Sequence, residues 1–216
     1  MTNVTLSFDN GPDPETTHAV LDVLEHHGVL STFFVIGQKL DAGIEARSAV
    51  ERAHKAGHWI GNHSYTHATP LGELAAPAAR AEIIRTQASL GALAHPDKLF
   101  RPFGGGGKLG PHLLNDTVVE VLCEQHFTCV TWNAIPRDWD DPAGWPVRAK
   151  ALCRQHPWPV VVLHDIAGAC LVGLNGFLTW LKDNEYAIRQ DFPDECLPIQ
   201  GGQGDPVLLA PYMPAA

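Results

Sequence analysis

Nothing in these 216 residues is apolar for long enough to cross a bilayer; runs such as Val160-Val161-Val162-Leu163 fall far short of a membrane span. Positive charge is also scarce. The 15 Lys and Arg stand against 24 Asp and Glu, a formal net charge of -9, and the basic residues are scattered, which argues against a nucleic-acid surface. The five cysteines (Cys123, Cys129, Cys153, Cys170 and Cys196) are odd in number and contain no CxxC pair. Free buried thiols in a reducing compartment are expected, in place of disulfides or a structural zinc. No charged and apolar leader precedes Val4, so the chain reads as cytoplasmic, or as one whose leader has been removed. Two catalytic templates are missing as well, the GxSxG elbow of serine hydrolases and the HExxH helix of zincins. The segment Arg101 to Lys108 ends like a phosphate-binding loop, but Leu109 stands where that loop needs Ser or Thr and Phe103 replaces its first Gly.

What is present is a regular alternation. Strand-like runs over 4–8, 32–36, 58–62, 98–100, 127–132, 160–163 and 186–189 interleave with helical patterns over 15–27, 43–55, 72–93, 114–125, 143–155 and 171–181. Repeated β-then-α order implies parallel strands with helices outside, in an open sheet or a barrel. The composition is that of one globular domain covering 1–216, with a Pro- and Gly-rich tail over 193–216 that reads as irregular wrapping or a mobile end. Reactive side chains fall at the ends of the strands: Asp9, His63, Arg101, Asp138 and His164. In parallel α/β barrels those ends share one face, so five residues spread along the chain would converge.

Each has a chemical reading beside a bland one. His63 and His67, four apart, would put two imidazoles on one side of a cation if they sit on a helical turn. His26 and His27, near the end of the first helix, are ordinary surface groups. Asp9 precedes the tight turn Gly11-Pro12, whereas Asp13, just before Pro14, fits a helix cap. His164 with Asp138 holding its ring would serve as a general acid, and the glycines after Arg101 allow backbone N–H groups to approach a substrate oxygen.

Taken in order, Ser7 to Pro12, His63 to His67, Arg101 to Gly105, Trp132 to Trp139 and Leu163 to Asp165 resemble the five motifs of the polysaccharide deacetylase family, the NodB-homology domain of carbohydrate esterase family four. The resemblance runs from residue 4 to about 190. It implies a distorted (β/α)7-type barrel and metal-dependent removal of an N-acetyl group from an amino sugar or oligosaccharide. It further implies Asp9 as base, Arg101 as its orienting partner, His164 as acid tuned by Asp138, and the Gly104 N–H as oxyanion donor. The metal, a divalent ion with zinc first in line, would be held by Asn10, His63 and His67. Three positions depart from the family pattern. Asn10 stands where an Asp ligand is usual, Phe103-Gly104 replaces Pro-Tyr, and Ile135 takes the place of the first Asp of the fourth motif. These changes keep two other readings open: hydrolysis of a different linear or cyclic amide, and a non-catalytic member that binds carbohydrate or metal.

Overall fold

The computed structural model describes residues 2–214. Its elements alternate as β1 (Asn3–Asp9), α1 (Pro14–His27), β2 (Thr32–Val35), α2 (Gly37–Leu40), α3 (Ile44–Lys55) and β3 (Trp59–Asn62). Then follow α4 (Ala76–Leu90), β4 (Leu99–Phe100), α5 (Asp116–Glu124), β5 (Thr128–Cys129), α6 (Trp145–Gln155), β6 (Val160–His164), α7 (Leu171–Asp183) and β7 (Ala187–Arg189). The chain ends in β8 (Ile199–Gln200), β9 (Gln203–Gly204) and α8 (Pro206–Leu209). Strands β6, β1, β2, β3, β4 and β5 lie side by side in that order, all parallel. The segment after β5 turns back onto β6 through a parallel bridge between Ala134 and Val161, which closes the sheet into a distorted α/β barrel.

Alternation along the strands decides which side chains reach the barrel axis. On β1, Val4, Leu6 and Phe8 join a cluster with Leu21 and Leu24 of α1 and Leu174 and Phe177 of α7. Thr5, Ser7 and Asp9 therefore face the other way, into the barrel, and all three are buried. On β6, Val161 and Leu163 belong to the helix-covered cluster, which leaves Val160, Val162 and His164 on the inner face. Helix α1 begins as the sequence implies, with the Asp13 carboxylate accepting from Thr16 N at 2.8 Å and Pro14 opening the first turn.

Three sequence expectations need correction. The tail is ordered: β8 pairs antiparallel with β5 through Ile199 and Cys129, turns onto β9, and buries Cys196 and Ile199. Isolated apolar residues set among turn formers hid that role. The helix expected over 72–93 is shorter, because Pro77 fits only a first turn and Gly91, at φ 52°, ends the helix, which leaves α4 at Ala76–Leu90. Short α2 lay inside a stretch read as a connection. The cysteines are free, as expected, and burial pushes Cys129, Cys153 and Cys196 up to about 12, so none is poised as a nucleophile.

Beneath the first loop, Asp165 is buried. Its Oδ2 accepts from Thr17 Oγ1 at 2.6 Å, while Oδ1 has no partner. Gly11 lies so close to this carboxyl that any Cβ there would collide with it. Burial pushes Asp165 up to about 7, against the hydrogen bond from Thr17. The folded chain therefore holds a proton that the unfolded chain releases near 3.8, so the contribution to stability is full below about pH 4 and lost as pH rises through 7. Replacing Asp165 by its neutral isostere Asn should flatten the pH dependence. In urea unfolding, Asp165→Asn should gain on the parent between pH 5 and pH 8 by an amount bounded at about 3 kcal/mol.

Candidate active site

The five strand-end residues do converge. Asp9 and His164 are register partners at the C-terminal ends of adjacent strands, so their side chains enter the barrel mouth side by side. His63 and Arg101 each extend a ladder by one residue, His63 N donating to Val35 O and Arg101 N to Asn62 O, both at 2.9 Å. Asp138 arrives from the loop after Ala134. That loop is braced by Arg148, which donates to Pro136 O at 2.7 Å and to Arg137 O at 3.2 Å.

Arg101 has no exposed surface and organises the interior. Its Nη1 donates to Asp9 Oδ1 at 2.9 Å and to Ser7 Oγ at 2.6 Å, and its Nε and Nη2 reach the carbonyls of Val130 and Thr131. The guanidinium lies 4.0 Å from the Phe34 ring centre. A planar, permanently charged fork suits this position, since it satisfies several acceptors at once while neutralising one carboxylate. Asp9 is 4% exposed, and its second oxygen lies 3.7 Å from His63 Nε2.

Both histidine tautomers follow from their partners. His63 Nδ1 lies 2.8 Å from the Arg101 carbonyl, which can only accept, so Nδ1 carries the hydrogen and Nε2 keeps a lone pair. His164 is held twice by Asp138: its backbone N–H donates to Oδ2 and its Nδ1 to Oδ1, both at 2.8 Å. Asp138 is fully buried in doing this, and Nε2 is the ring nitrogen of His164 left for the cleft. Burial first, and then the charge of Arg101, pushes His63 down to about 3, against its hydrogen bond to the Arg101 carbonyl. Burial and the neighbouring His63 do the same to His67, also about 3, against the pull of Asp9. Both rings are thus neutral bases across the physiological range.

The expected helical turn at His63 to His67 is absent. The segment is a loop in which Ser64 and His67 take left-handed backbone angles, φ 63° and 54°. Its ring centres still approach to 4.8 Å because a residue the sequence reading missed holds the loop. Glu82, on α4, accepts from Tyr65 N and Thr66 N at 2.8 Å and from Thr66 Oγ1 at 2.9 Å. In the sequence Glu82 is one more polar helix residue, and nothing distinguishes it.

Asn10 takes φ 72°, its carbonyl accepts from Lys39 Nζ at 2.7 Å, and its side-chain Oδ1 is buried without any partner. An amide oxygen left bare beside two neutral imidazoles is a donor set suited to a borderline cation. Among the described residues, no group of three His, Cys, Asp or Glu side chains is disposed to hold a metal ion.

The cleft above these groups has a volume of about 250 Å³. Its walls are largely apolar: Phe103, Trp132, Ile135, Trp139, Val162 and Ile166. Phe103 packs on His67 at 3.8 Å between ring centres, and Trp139 lies edge-on to His164 at 4.6 Å. Gly104 is required by a close approach, since a Cβ would strike the Trp132 ring; its carbonyl is taken by Lys108 N and His112 Nε2. Gly105 to Gly110 spells GxGxxG, but no helix begins before Asp116, so the helix N-terminus needed for a pyrophosphate is missing.

With this geometry in view, the comparisons with known proteins are direct. The family model "Polysaccharide deacetylase" matches residues 2–130. The chain belongs to the polysaccharide deacetylase family. It is 33% identical over 171 residues to a peptidoglycan-N-acetylglucosamine deacetylase of Bacillus cereus, covering 79% of this chain and 58% of that protein. It is 31% identical to a chitooligosaccharide deacetylase of Rhizobium leguminosarum bv. trifolii, covering 84% of this chain and 79% of that one. Among solved structures, a family 4 carbohydrate esterase from Streptomyces lividans, in complex with acetate, superposes with a TM-score of 0.74 at 25% identity, covering 92% and 97% of the two chains. The chain spans less than two thirds of the Bacillus relative.

Removing Arg101 would strand Asp9 as an uncompensated buried charge. Arg101→Ala should cost about 3–5 kcal/mol in chemical denaturation, whereas truncating an exposed arginine such as Arg80 should change stability by less than about 1 kcal/mol.

Proposed function

We propose that this chain is a metal-dependent hydrolase that removes an N-acetyl group from an amino sugar or oligosaccharide. One observation carries the reading. Asp9 and His164 flank the mouth of the barrel as neighbours, each fixed by a buried partner of opposite character, Arg101 for the base and Asp138 for the acid. Such an arrangement has little use in a protein that only binds.

His63, His67 and Asn10 would hold the divalent ion, zinc by the preference of imidazole donors. When bound, it supplies a Lewis acid that makes water acidic and polarises an amide carbonyl. The chain's own groups do the rest. Asp9, aimed by Arg101, takes the proton from the attacking water. The Gly104 N–H, whose carbonyl is already engaged, serves the oxygen on which negative charge develops. His164 Nε2 delivers a proton to the departing nitrogen, a necessary step because an amine anion is too poor a leaving group. Asp138 stabilises the imidazolium needed for that transfer. Trp132, Trp139 and Val162 line the same cleft and offer an apolar recess suited to a methyl group.

The non-catalytic reading rests on Asn10. An amide still coordinates through oxygen but brings no charge, which weakens metal binding without removing the acid and base. Hydrolysis of another amide draws support from Phe103 and Ile135, which make the cleft less polar than the family motifs imply.

Purified protein should take up about one zinc per chain. Asp9→Ala and His164→Ala should each lower acetate release by roughly 10²–10⁴-fold while the protein still unfolds cooperatively. Asn10→Asp should tighten zinc binding, read by competition with a chromogenic chelator. Unchanged acetate release in the Asp9 variant would remove the base from this account.

A further inference from the structure

Two Asn-Gly pairs occur in this chain, Asn10-Gly11 and Asn175-Gly176, and the fold treats them oppositely. An asparagine followed by glycine is open to attack on itself, because glycine has no side chain to shield its main-chain nitrogen from the neighbouring amide carbon. Asn175 is protected. It lies in α7, where the Gly176 N–H falls past the first turn and belongs to the helical ladder, and its Oδ1 accepts from His27 Nε2 at 2.8 Å.

At Asn10 each of these restraints is missing. The residue stands just outside β1 at φ 72°, and its Oδ1 has no partner. Among the described residues the Gly11 N–H donates to nothing, although the Gly11 carbonyl is held by Ile36 N at 2.9 Å. Asn10 is half-buried and lines both the catalytic cleft and a groove of about 480 Å³ beside it, so water reaches it. The peptide between the two residues is also activated. Lys39 Nζ donates to the Asn10 carbonyl at 2.7 Å, and a cation on that oxygen draws electrons from the peptide and makes its N–H more acidic. The Asp165 carboxyl, with Oδ1 unpartnered, packs against Gly11 and offers an acceptor for the proton.

We propose that Asn10 is a self-modifying position, at which the Gly11 main-chain nitrogen converts the side-chain amide into a carboxylate after folding. Gly11 N gives up its proton and bonds to Asn10 Cγ; the bond from Cγ to Nδ2 breaks, and that nitrogen takes up a proton and leaves as ammonia. Water then adds at Cγ of the cyclic imide, and the bond from Cγ to Gly11 N breaks. The peptide is restored, and amide plus water have become carboxylate plus ammonium. Opening the ring on its other side would put an extra methylene into the main chain between Asp9, paired with Phe34 and His164, and Gly11, tied to Ile36. Those anchors favour aspartate over isoaspartate. The conversion stands apart from the hydrolase reading; only its consequence, a charged oxygen donor beside His63 and His67, draws on that reading.

Folded parent protein is held in mildly alkaline buffer over several days, and its peptides are mapped by mass spectrometry with fragmentation that separates aspartate from isoaspartate. Asn10 should convert at least about tenfold faster than Asn175, the ratio that one retained backbone hydrogen bond sets. In guanidinium chloride, where both pairs are free, the two rates should become equal. In the folded protein Lys39→Met should slow Asn10 by about fivefold. The converted protein should bind zinc as tightly as Asn10→Asp, read by chelator competition without turnover. Conversion of Asn175 at the rate of Asn10, slower loss of the Asn10 amide in the folded chain than in the unfolded one, or isoaspartate as the main product overturns the inference. Conversion without acetate release upholds the modification and removes the hydrolase reading; acetate release from protein whose Asn10 keeps its amide does the reverse.

Discussion

At the axis of this barrel a guanidinium with no exposure meets a carboxylate that is nearly as buried, and the placement of Asp9 and His63 depends on that residue. Taken out of water separately, Arg101 or Asp9 would be several kcal/mol unfavourable; together, with Ser7 Oγ, Val130 O and Thr131 O filling the remaining donor positions, they form a satisfied network. The same residue also fixes chemistry through its main chain. The Arg101 carbonyl sets the tautomer of His63 and so presents the Nε2 lone pair toward Asp9. Asp9 and His63 are in this way oriented by one residue at the end of one two-residue strand.

The strand ladder explains why these groups lie where they do. Pairing of β1 with β6 matches Asp9 to His164, and a slip of one residue in either strand would turn one of these side chains into the helix-covered layer. Thus the packing of Phe8 and Leu163 under α1 and α7 is also what points Asp9 and His164 inward. Asp138 grips both the backbone and the ring of His164, so one carboxylate sets position and tautomer together.

Much of this was legible in the sequence because strand alternation and strand-end placement are local properties. The βα order, the cap at Asp13 and the convergence of Asp9, His63, Arg101, Asp138 and His164 all follow from short windows. What could not be read locally was set by contacts distant along the chain. The loop from His63 to His67 looked like a helical turn, since four-residue spacing is the helical mark; the Glu82 carboxylate, contributed by α4, bends it otherwise. The bare Oδ1 of Asn10 is likewise a fact of its surroundings, not of residue type. The hairpin of β8 and β9 escaped because its pairing partner, β5, lies some seventy residues earlier in the chain.

Family membership and the strand topology agree on a barrel, and its mouth gathers Asp9, His164 and the neutral side chains of Asn10, His63 and His67. The most direct measurement is acetate release from an N-acetylated chitooligosaccharide by protein stripped with a chelator and then reloaded. The account predicts no release from the stripped protein and, once zinc is restored, equal amounts of acetate and free amine. Full activity in the stripped protein would contradict the metal-dependent mechanism, and no release from any N-acetylated saccharide at saturating zinc would contradict the assignment of hydrolysis itself.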